Sequence, residues 1–291
     1  MRYGIYYAYW EKAWGGDFLP YVSKVKRLGF DILEIACGDL YRQPDGALRE
    51  LGQEAARQGI ELTGGYGPRP EHNLASVDPD AVTAALDFYR TTFRKMQLAG
   101  VRSLGGALYS YWPVDYSHTP DKAGDWTRSV TRMRRLAALA EDYGITLNME
   151  SLNRFEGYLI NDAREAVHYV CAVDSPNVKV MLDTFHMNIE EDSLTEAIRH
   201  AGNLLGHFHV GEANRRPPRP GGRIPWAEIG AALRDIGYAG AVVMEPFVLM
   251  GGQVGADIKI WRDLSGGADT DLLDQWAADS VAYLKGQFEG K

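Results

Sequence analysis

The chain has 291 residues, 45% of them hydrophobic and 24% charged, the ordinary balance of a globular protein and long enough for one large barrel or two domains. A formal charge of −8 and a pI near 5.4 argue against a nucleic-acid partner, which would require a basic face. Two cysteines, Cys37 and Cys171, are too few for a disulfide framework and read as buried small hydrophobes. No apolar run approaches the ~20 residues of a membrane helix, and the chain opens on a strand-like run without a signal-peptide pattern, so a soluble cytoplasmic protein is expected.

Short β-rich runs recur along the chain: Tyr3–Tyr7, Asp31–Ile35, Ile60–Thr63, Val101–Leu104, Ile145–Glu150, Val178–Asp183, Leu205–Val210 and Ala241–Glu245. Helix-like stretches lie between them, with apolar residues two to five apart, as in Phe88, Phe93, Met96 and Leu98. Gly29, Gly59, Gly100, Gly144 and Gly237 each precede a residue that starts or leads into the next strand, where a left-handed glycine can close a helix. Strand and helix alternating in this way imply a parallel sheet, and eight units favour closure over an open doubly wound sheet. An open sheet would also carry a Gly-x-Gly-x-x-Gly turn after its first strand, and Ala8-Tyr9-Trp10-Glu11 stands there instead. With no Ser-, Pro- or charge-rich linker to divide the chain, the expectation is an α/β protein, a single (β/α)8 TIM barrel over residues 1–291.

Four residues able to bind a metal fall at the ends of the last four runs: Glu150, Asp183, His209 and Glu245. Their separations are 33 (150 to 183), 26 (183 to 209) and 36 (209 to 245) residues, each about one strand-plus-helix unit. In a barrel the carboxyl ends of the strands form the catalytic face, so residues far apart in sequence would meet there. A buried carboxylate must be paired, metal-bound or protonated. An internal salt bridge is the structural alternative to a metal here. Three carboxylates and one imidazole suit Mn²⁺, Co²⁺ or Mg²⁺ better than a sulfur-rich zinc set would. His207, two residues before His209, points to the same side of the sheet one layer lower, as a packing or supporting residue.

The strand-end loops are rich in rings and glycine. Tyr6, Tyr7, Tyr9, Trp10 and Trp14 mark the first strand and its loop, and Tyr109, Tyr111 and Trp112 follow the fourth. Any one ring could be core. Two clusters above a polar centre fit a sugar pocket, with Gly105 and Gly106 letting backbone approach the ligand. Glu156, His186 and Arg215 stand a few residues beyond strand ends, and a His and an Arg near a metal can hold hydroxyl and carbonyl oxygens. Arg215 also opens a basic, Pro-rich loop through Arg216, Arg219 and Arg223, readable as a phosphate site or a solvated loop.

The runs Met181-Leu-Asp-Thr-Phe-His-Met-Asn-Ile-Glu-Glu191, Gly206-His-Phe-His209 with Gly211-Glu-Ala-Asn-Arg215, Asn153-Arg-Phe-Glu156 and Val243-Met-Glu-Pro-Phe247 resemble the ketose 3-epimerases. That family includes the D-psicose (D-allulose) and D-tagatose 3-epimerases, within the xylose-isomerase-like barrels. Gly4-Ile-Tyr-Tyr7 with Tyr9-Trp10, and Trp261-Arg-Asp-Leu-Ser-Gly-Gly-Ala268, are similar to the psicose-epimerase branch. The resemblance implies one divalent cation, most often Mn²⁺ or Co²⁺, on Glu150, Asp183, His209 and Glu245. It places Glu156, His186 and Arg215 on substrate oxygens, and Tyr6, Trp14, Trp112 and Phe247 around the sugar. It also implies a homo-oligomer, dimer or tetramer. Tyr66, in Gly65-Tyr-Gly-Pro-Arg-Pro-Glu71, is bulkier than the family form, so Tyr66 and Ala107 are assigned to the choice of sugar.

The expected reaction is C3 epimerisation of a free ketohexose, D-fructose with D-psicose or D-tagatose with D-sorbose. The proton on C3, beside a carbonyl, becomes removable when a cation stabilises the enediolate as a Lewis acid. Inversion needs a base on one face and an acid on the other, and Glu150 and Glu245 are the candidates. No nicotinamide, flavin or phosphate carrier is needed. The rivals are an aldose–ketose isomerase or a polyol dehydratase on the same barrel, a DNA-repair endonuclease of related fold, disfavoured by the charge, and a non-catalytic sugar-binding protein.

Overall fold

The computed structural model describes residues 1–290. Eight strands pair in parallel and in chain order: β1 (Arg2–Tyr6), β2 (Ile32–Ala36), β3 (Glu61–Gly65), β4 (Ser103–Gly106), β5 (Thr146–Glu150), β6 (Val178–Asp183), β7 (Leu205–Val210) and β8 (Ala241–Met244). β8 then pairs with β1, Arg2 opposite Ala241 and Ile5 opposite Met244, which closes the barrel. Around it lie α1 (Leu19–Arg27), α2 (Asp45–Gln58), α3 (Pro79–Ala99), α4 (Lys122–Asp142), α5 (Ala163–Val173), α6 (Thr184–Glu190), α7 (Leu194–Ala201), α8 (Trp226–Asp235), α9 (Gly252–Asp257) and α10 (Thr270–Glu289). The expected TIM barrel is the observed architecture.

The sixth and seventh strands match their predicted bounds, and the others shift by one or two residues, so that Glu245 stands just past β8. Its backbone N–H still donates to the Val210 carbonyl at 3.1 Å, which continues the ladder by one step. The five predicted helix-closing glycines all have positive φ, between 66° and 90°. At the other ends, Asp78, Asp121, Asp162 and Asp269 accept backbone N–H groups at the starts of α3, α4, α5 and α10.

The apolar stripe of α3 (Val82, Ala85, Phe88, Tyr89, Phe93, Met96) packs inward. Leu98, off that stripe, is only partly buried, which corrects its place in the predicted pattern. Cys171 corrects another expectation. It is exposed because the buried stripe of α5 runs through Ala166, Tyr169, Val170 and Val173 and leaves residue 171 outside, whereas Cys37 is buried.

Space inside the barrel is tight. Ile32, Ala241 and Val243 form their own small apolar cluster, and a methyl group on Gly4 would lie 2.7 Å from Cβ of Ile32. Nearer the catalytic face, Gly106 has φ +127°, and a Cβ there would lie 2.3 Å from the Tyr66 carbonyl oxygen. Gly106→Ala is therefore expected to lose about 1–3 kcal/mol of stability through backbone strain alone. An unchanged melting midpoint would contradict this account of the loop.

Candidate active site

Glu150 and Asp183 end β5 and β6, His209 lies one residue from the end of β7, and Glu245 follows β8. Pairing sets Asp183 directly beside His209 and His209 beside Val243. The four side chains converge, each offering a ligand atom within 4.8 Å of the others. Asp183 has a second duty: one oxygen accepts the Phe185 N–H at 2.9 Å and caps α6, which fixes the carboxylate.

Charge in this cluster is strongly perturbed. Burial and the neighbouring Glu245 carboxylate push the Glu150 carboxyl well above its ordinary range. For His209, burial disfavours a charge, but the carboxylates of Glu34 and Glu245 outweigh it and hold the imidazole high. The Arg215 guanidinium donates to Asp183 Oδ2 at 2.9 Å and to Glu245 Oε2 at 2.8 Å. Its backbone is left-handed, φ +64°, held by its own N–H to the Glu212 carbonyl and its carbonyl to the Phe247 N–H. The guanidinium also lies 3.8 Å from the Phe185 ring centre and 5.3 Å from that of Phe247. The sequence reading aimed Arg215 at substrate; the structure adds that its single positive charge bridges two of the four clustered residues.

The cluster fits a divalent cation on two independent counts. Its donors are three carboxylates and an imidazole, a hard and intermediate set. In addition, Glu150 Oε1 and His209 Nδ1 are buried without a hydrogen-bond partner and face each other at 4.0 Å, with Nδ1 also 3.6 Å from Glu245 Oε2. Buried polar atoms of this kind are costly unless something charged or polar meets them.

His186, on α6, is buried 3.8 Å from Glu150 and 3.9 Å from Asp183 through Nε2. Burial lowers its pKa to about 3, so the ring is neutral. Its Nδ1 accepts the Asn153 backbone N–H at 3.2 Å, which leaves Nε2 to carry the proton and act as a donor. Glu156 accepts from the Asn153 side chain at 3.0 Å and from Trp112 Nε1 at 3.3 Å, 4.0 Å from Arg215. Asn153 thus aligns both groups, though the sequence offered it only as part of a motif.

Above the cluster lies a cavity of about 610 Å³ whose lining includes every residue assigned from the sequence to the metal, the substrate or the choice of sugar except Asp183. Tyr6, Trp14, Trp112 and Phe247 stand together, with Trp14 ring centres 6.4, 6.2 and 6.2 Å from those of Tyr6, Trp112 and Phe247. Trp14 is tied down by Nε1–H to Asp257 at 2.7 Å. Tyr66 and Ala107 also face the cavity, and the Tyr66 hydroxyl is 2.6 Å from His72 Nδ1. Tyr7, Tyr9 and Tyr109 have gone into the core instead, where Tyr9 donates to the Leu273 carbonyl and Tyr109 to the Glu150 carbonyl. The basic loop after Arg215 is organised by buried Glu212, which accepts from the Arg223 N–H and Trp226 Nε1, each at 3.0 Å.

Sequence reasoning missed Glu34. It lies on β2, buried, with Oε1 2.6 Å from His209 Nε2. The available signal was a lone acid inside the apolar run Ile32-Leu-Glu-Ile35.

Comparison with known proteins places this geometry. Residues 22–264 match the sequence model of the xylose isomerase-like TIM barrel family. The chain is 57% identical over 285 residues to a D-psicose 3-epimerase of Ruminiclostridium cellulolyticum, covering 98% of this chain and 97% of that one. It is 52% identical to a D-psicose 3-epimerase of Agrobacterium fabrum, with 98% of each covered. A crystal structure of D-psicose 3-epimerase with D-tagatose from Clostridium cellulolyticum superposes with a TM-score of 0.97 at 55% identity, covering 99% of both chains. The chain belongs to the xylose isomerase-like TIM barrel family and, within it, to the ketose 3-epimerases.

Proposed function

We propose that the protein inverts C3 of free ketohexoses, interconverting D-fructose with D-psicose and acting also on D-tagatose, through deprotonation, a cis-enediolate and reprotonation. The observation that carries this is the convergence of Glu150 and Glu245, from strands separated by β6 and β7, at the floor of a ring-lined cavity. Two carboxylates so placed can address opposite faces of one carbon. The kinship to D-psicose 3-epimerases, one of them solved with D-tagatose, favours a ketohexose as substrate.

In this reading the site works within one barrel domain, at the carboxyl ends of the strands. Glu150, Asp183, His209 and Glu245 hold one divalent cation, Mn²⁺ or Co²⁺, with Mg²⁺ the alternative. When bound, the ion supplies Lewis-acid stabilisation of the charge that develops at O2 and O3. One glutamate removes the C3 proton, the other returns a proton from the opposite face, and the reverse reaction exchanges their roles. His186, neutral with Nε2 protonated, donates to a substrate oxygen. Glu156 and Arg215 join it on the oxygens near C1 to C3, and His186 with Arg215 keeps the C1 end away from both bases. Tyr6, Trp14, Trp112 and Phe247 pack on the C–H faces of the sugar and exclude water, and Tyr66 and Ala107 border its far end. The exposed rings of Phe155 and Trp261 offer apolar surface for a homo-oligomer, dimer or tetramer, in the cytoplasm. Among the described residues no helix is long and apolar enough to cross a membrane.

Reaction in D₂O tests the position of proton transfer. Metal-loaded protein incubated with D-fructose should give D-psicose carrying deuterium at C3, read by NMR of the recovered sugars. Label confined to C1, with an aldose accumulating, would mark a 1,2-enediol isomerase and end the 3-epimerase reading.

A further inference from the structure

Beneath the catalytic cluster is a second set of buried polar groups with no part in the proton transfers: Glu34 on β2, Thr63 on β3 and His207 on β7. Glu34 is 1% exposed and uses its two oxygens differently. Oε1 lies 2.6 Å from His209 Nε2. Oε2 accepts the Thr63 hydroxyl at 2.8 Å and lies 2.9 Å from His207 Nε2. The carboxylate is gripped from both sides and cannot rotate without losing several contacts at once.

We propose that Glu34 is a positioning residue for the cation: it takes the Nε2–H of His209, so that Nδ1 is the nitrogen presented to the metal. This rests on the reading of Glu150, Asp183, His209 and Glu245 as metal ligands. The ring is oriented as the proposal requires, since Nδ1 has no hydrogen-bond partner and faces Glu245 Oε2 at 3.6 Å and Glu150 Oε1 at 4.0 Å. A metal-binding imidazole whose other nitrogen donates to a carboxylate has a fixed tautomer, a fixed plane and greater basicity at the ligating atom. Thr63 acts one step further out, by holding Glu34 itself, while His207 Nε2 lies beside the same oxygen without hydrogen-bonding to it. The arrangement reaches across the barrel interior and is a reason for a charged residue to occupy a strand that is otherwise apolar.

The test is Mn²⁺ binding to metal-stripped protein, read by calorimetry and by electron paramagnetic resonance of free ion, beside the melting midpoint of the stripped protein. Glu34→Gln keeps an acceptor for His209 and removes the charge; Thr63→Val removes only the hydroxyl that steadies Glu34. The expected result is one ion per chain throughout, with Kd raised about 10- to 100-fold in Glu34→Gln. Thr63→Val should shift Kd the same way, by less than about 10-fold. Should Glu34→Gln fail to fold, Thr63→Val carries the test alone. An unchanged Kd in the folded variant, with only the melting midpoint lowered, would make Glu34 a purely structural residue and overturn the proposal. Two ions per wild-type chain, falling to one in Glu34→Gln, would make Glu34 a ligand of its own site with His207 and overturn it too. Wild-type protein that takes up no Mn²⁺ would remove the metal reading, and this proposal with it.

Discussion

Glu150→Gln and Glu245→Gln are each expected to cut turnover at least about 10²-fold, the usual scale of lost general acid–base help. The amide is nearly isosteric, so the cavity and its ring contacts should survive while the group proposed to carry the proton is lost. The two variants differ in their secondary effects. Glu150 has an oxygen without a hydrogen-bond partner, so the amide of Glu150→Gln places an NH₂ or carbonyl where none is satisfied. Glu245 accepts from Arg215, a bond the amide carbonyl of Glu245→Gln can retain. Each change also removes a ligand charge, so metal content by mass spectrometry must accompany the rate. A metal-replete variant with near-normal kcat would refute the two-carboxylate scheme.

Removing the metal should be more drastic. Prolonged chelation is expected to take ketose turnover below detection, and Mn²⁺ or Co²⁺ to restore it, because the enediolate charge would otherwise have only Arg215 and His186 nearby. Arg215 already spans Asp183 and Glu245, and so keeps those two carboxylates from repelling each other in stripped protein. The fold should therefore survive stripping and activity should return on reloading. Full turnover in protein shown to be metal-free would rule out the metal-dependent reading.

The barrel was legible because the units repeat the same grammar: a short apolar run, a periodic helix and, in five of them, a closing glycine; α5 ends instead on a left-handed Asp174. The four clustered residues were legible for a related reason. A carboxylate or imidazole at the end of a buried run has no cheap structural excuse, and four at unit spacing reinforce one another. Glu34 escaped because it stands in the middle of its run, where a single strand gives no hint of a partner 175 positions away. The tie between Trp14 and Asp257 was hidden for the same reason, since it joins the loop after β1 to α9. Ring counting overreached at Tyr7, Tyr9 and Tyr109, because aromatic content cannot distinguish a ring facing a cavity from one facing a helix. Strand ends were misjudged by a residue or two, since pairing continues past the apolar run into small residues, as at Gly65 and Gly106.

The closed, sequential order of the strands has a consequence for how such a chain can change over generations. All four clustered residues come from the last four strands and their ends, while Tyr6, Trp14, Tyr66, Ala107 and Trp112 come from β1, β3, β4 and the loops after them. In the proposed reading one half of the ring carries the reaction and the other mainly meets the substrate, with Glu34 on β2 and Thr63 on β3 supporting the floor from that second half. Substitutions between residues 66 and 72, or at Ala107, can redraw the walls without disturbing the floor, whereas Tyr109 and Trp112 are tied to it through the Glu150 carbonyl and Glu156. New substrate ranges can thus be explored at little risk to the chemistry. Phe247, a wall residue two positions beyond Glu245, is tied to the floor through the chain itself, and drift there would threaten both roles together.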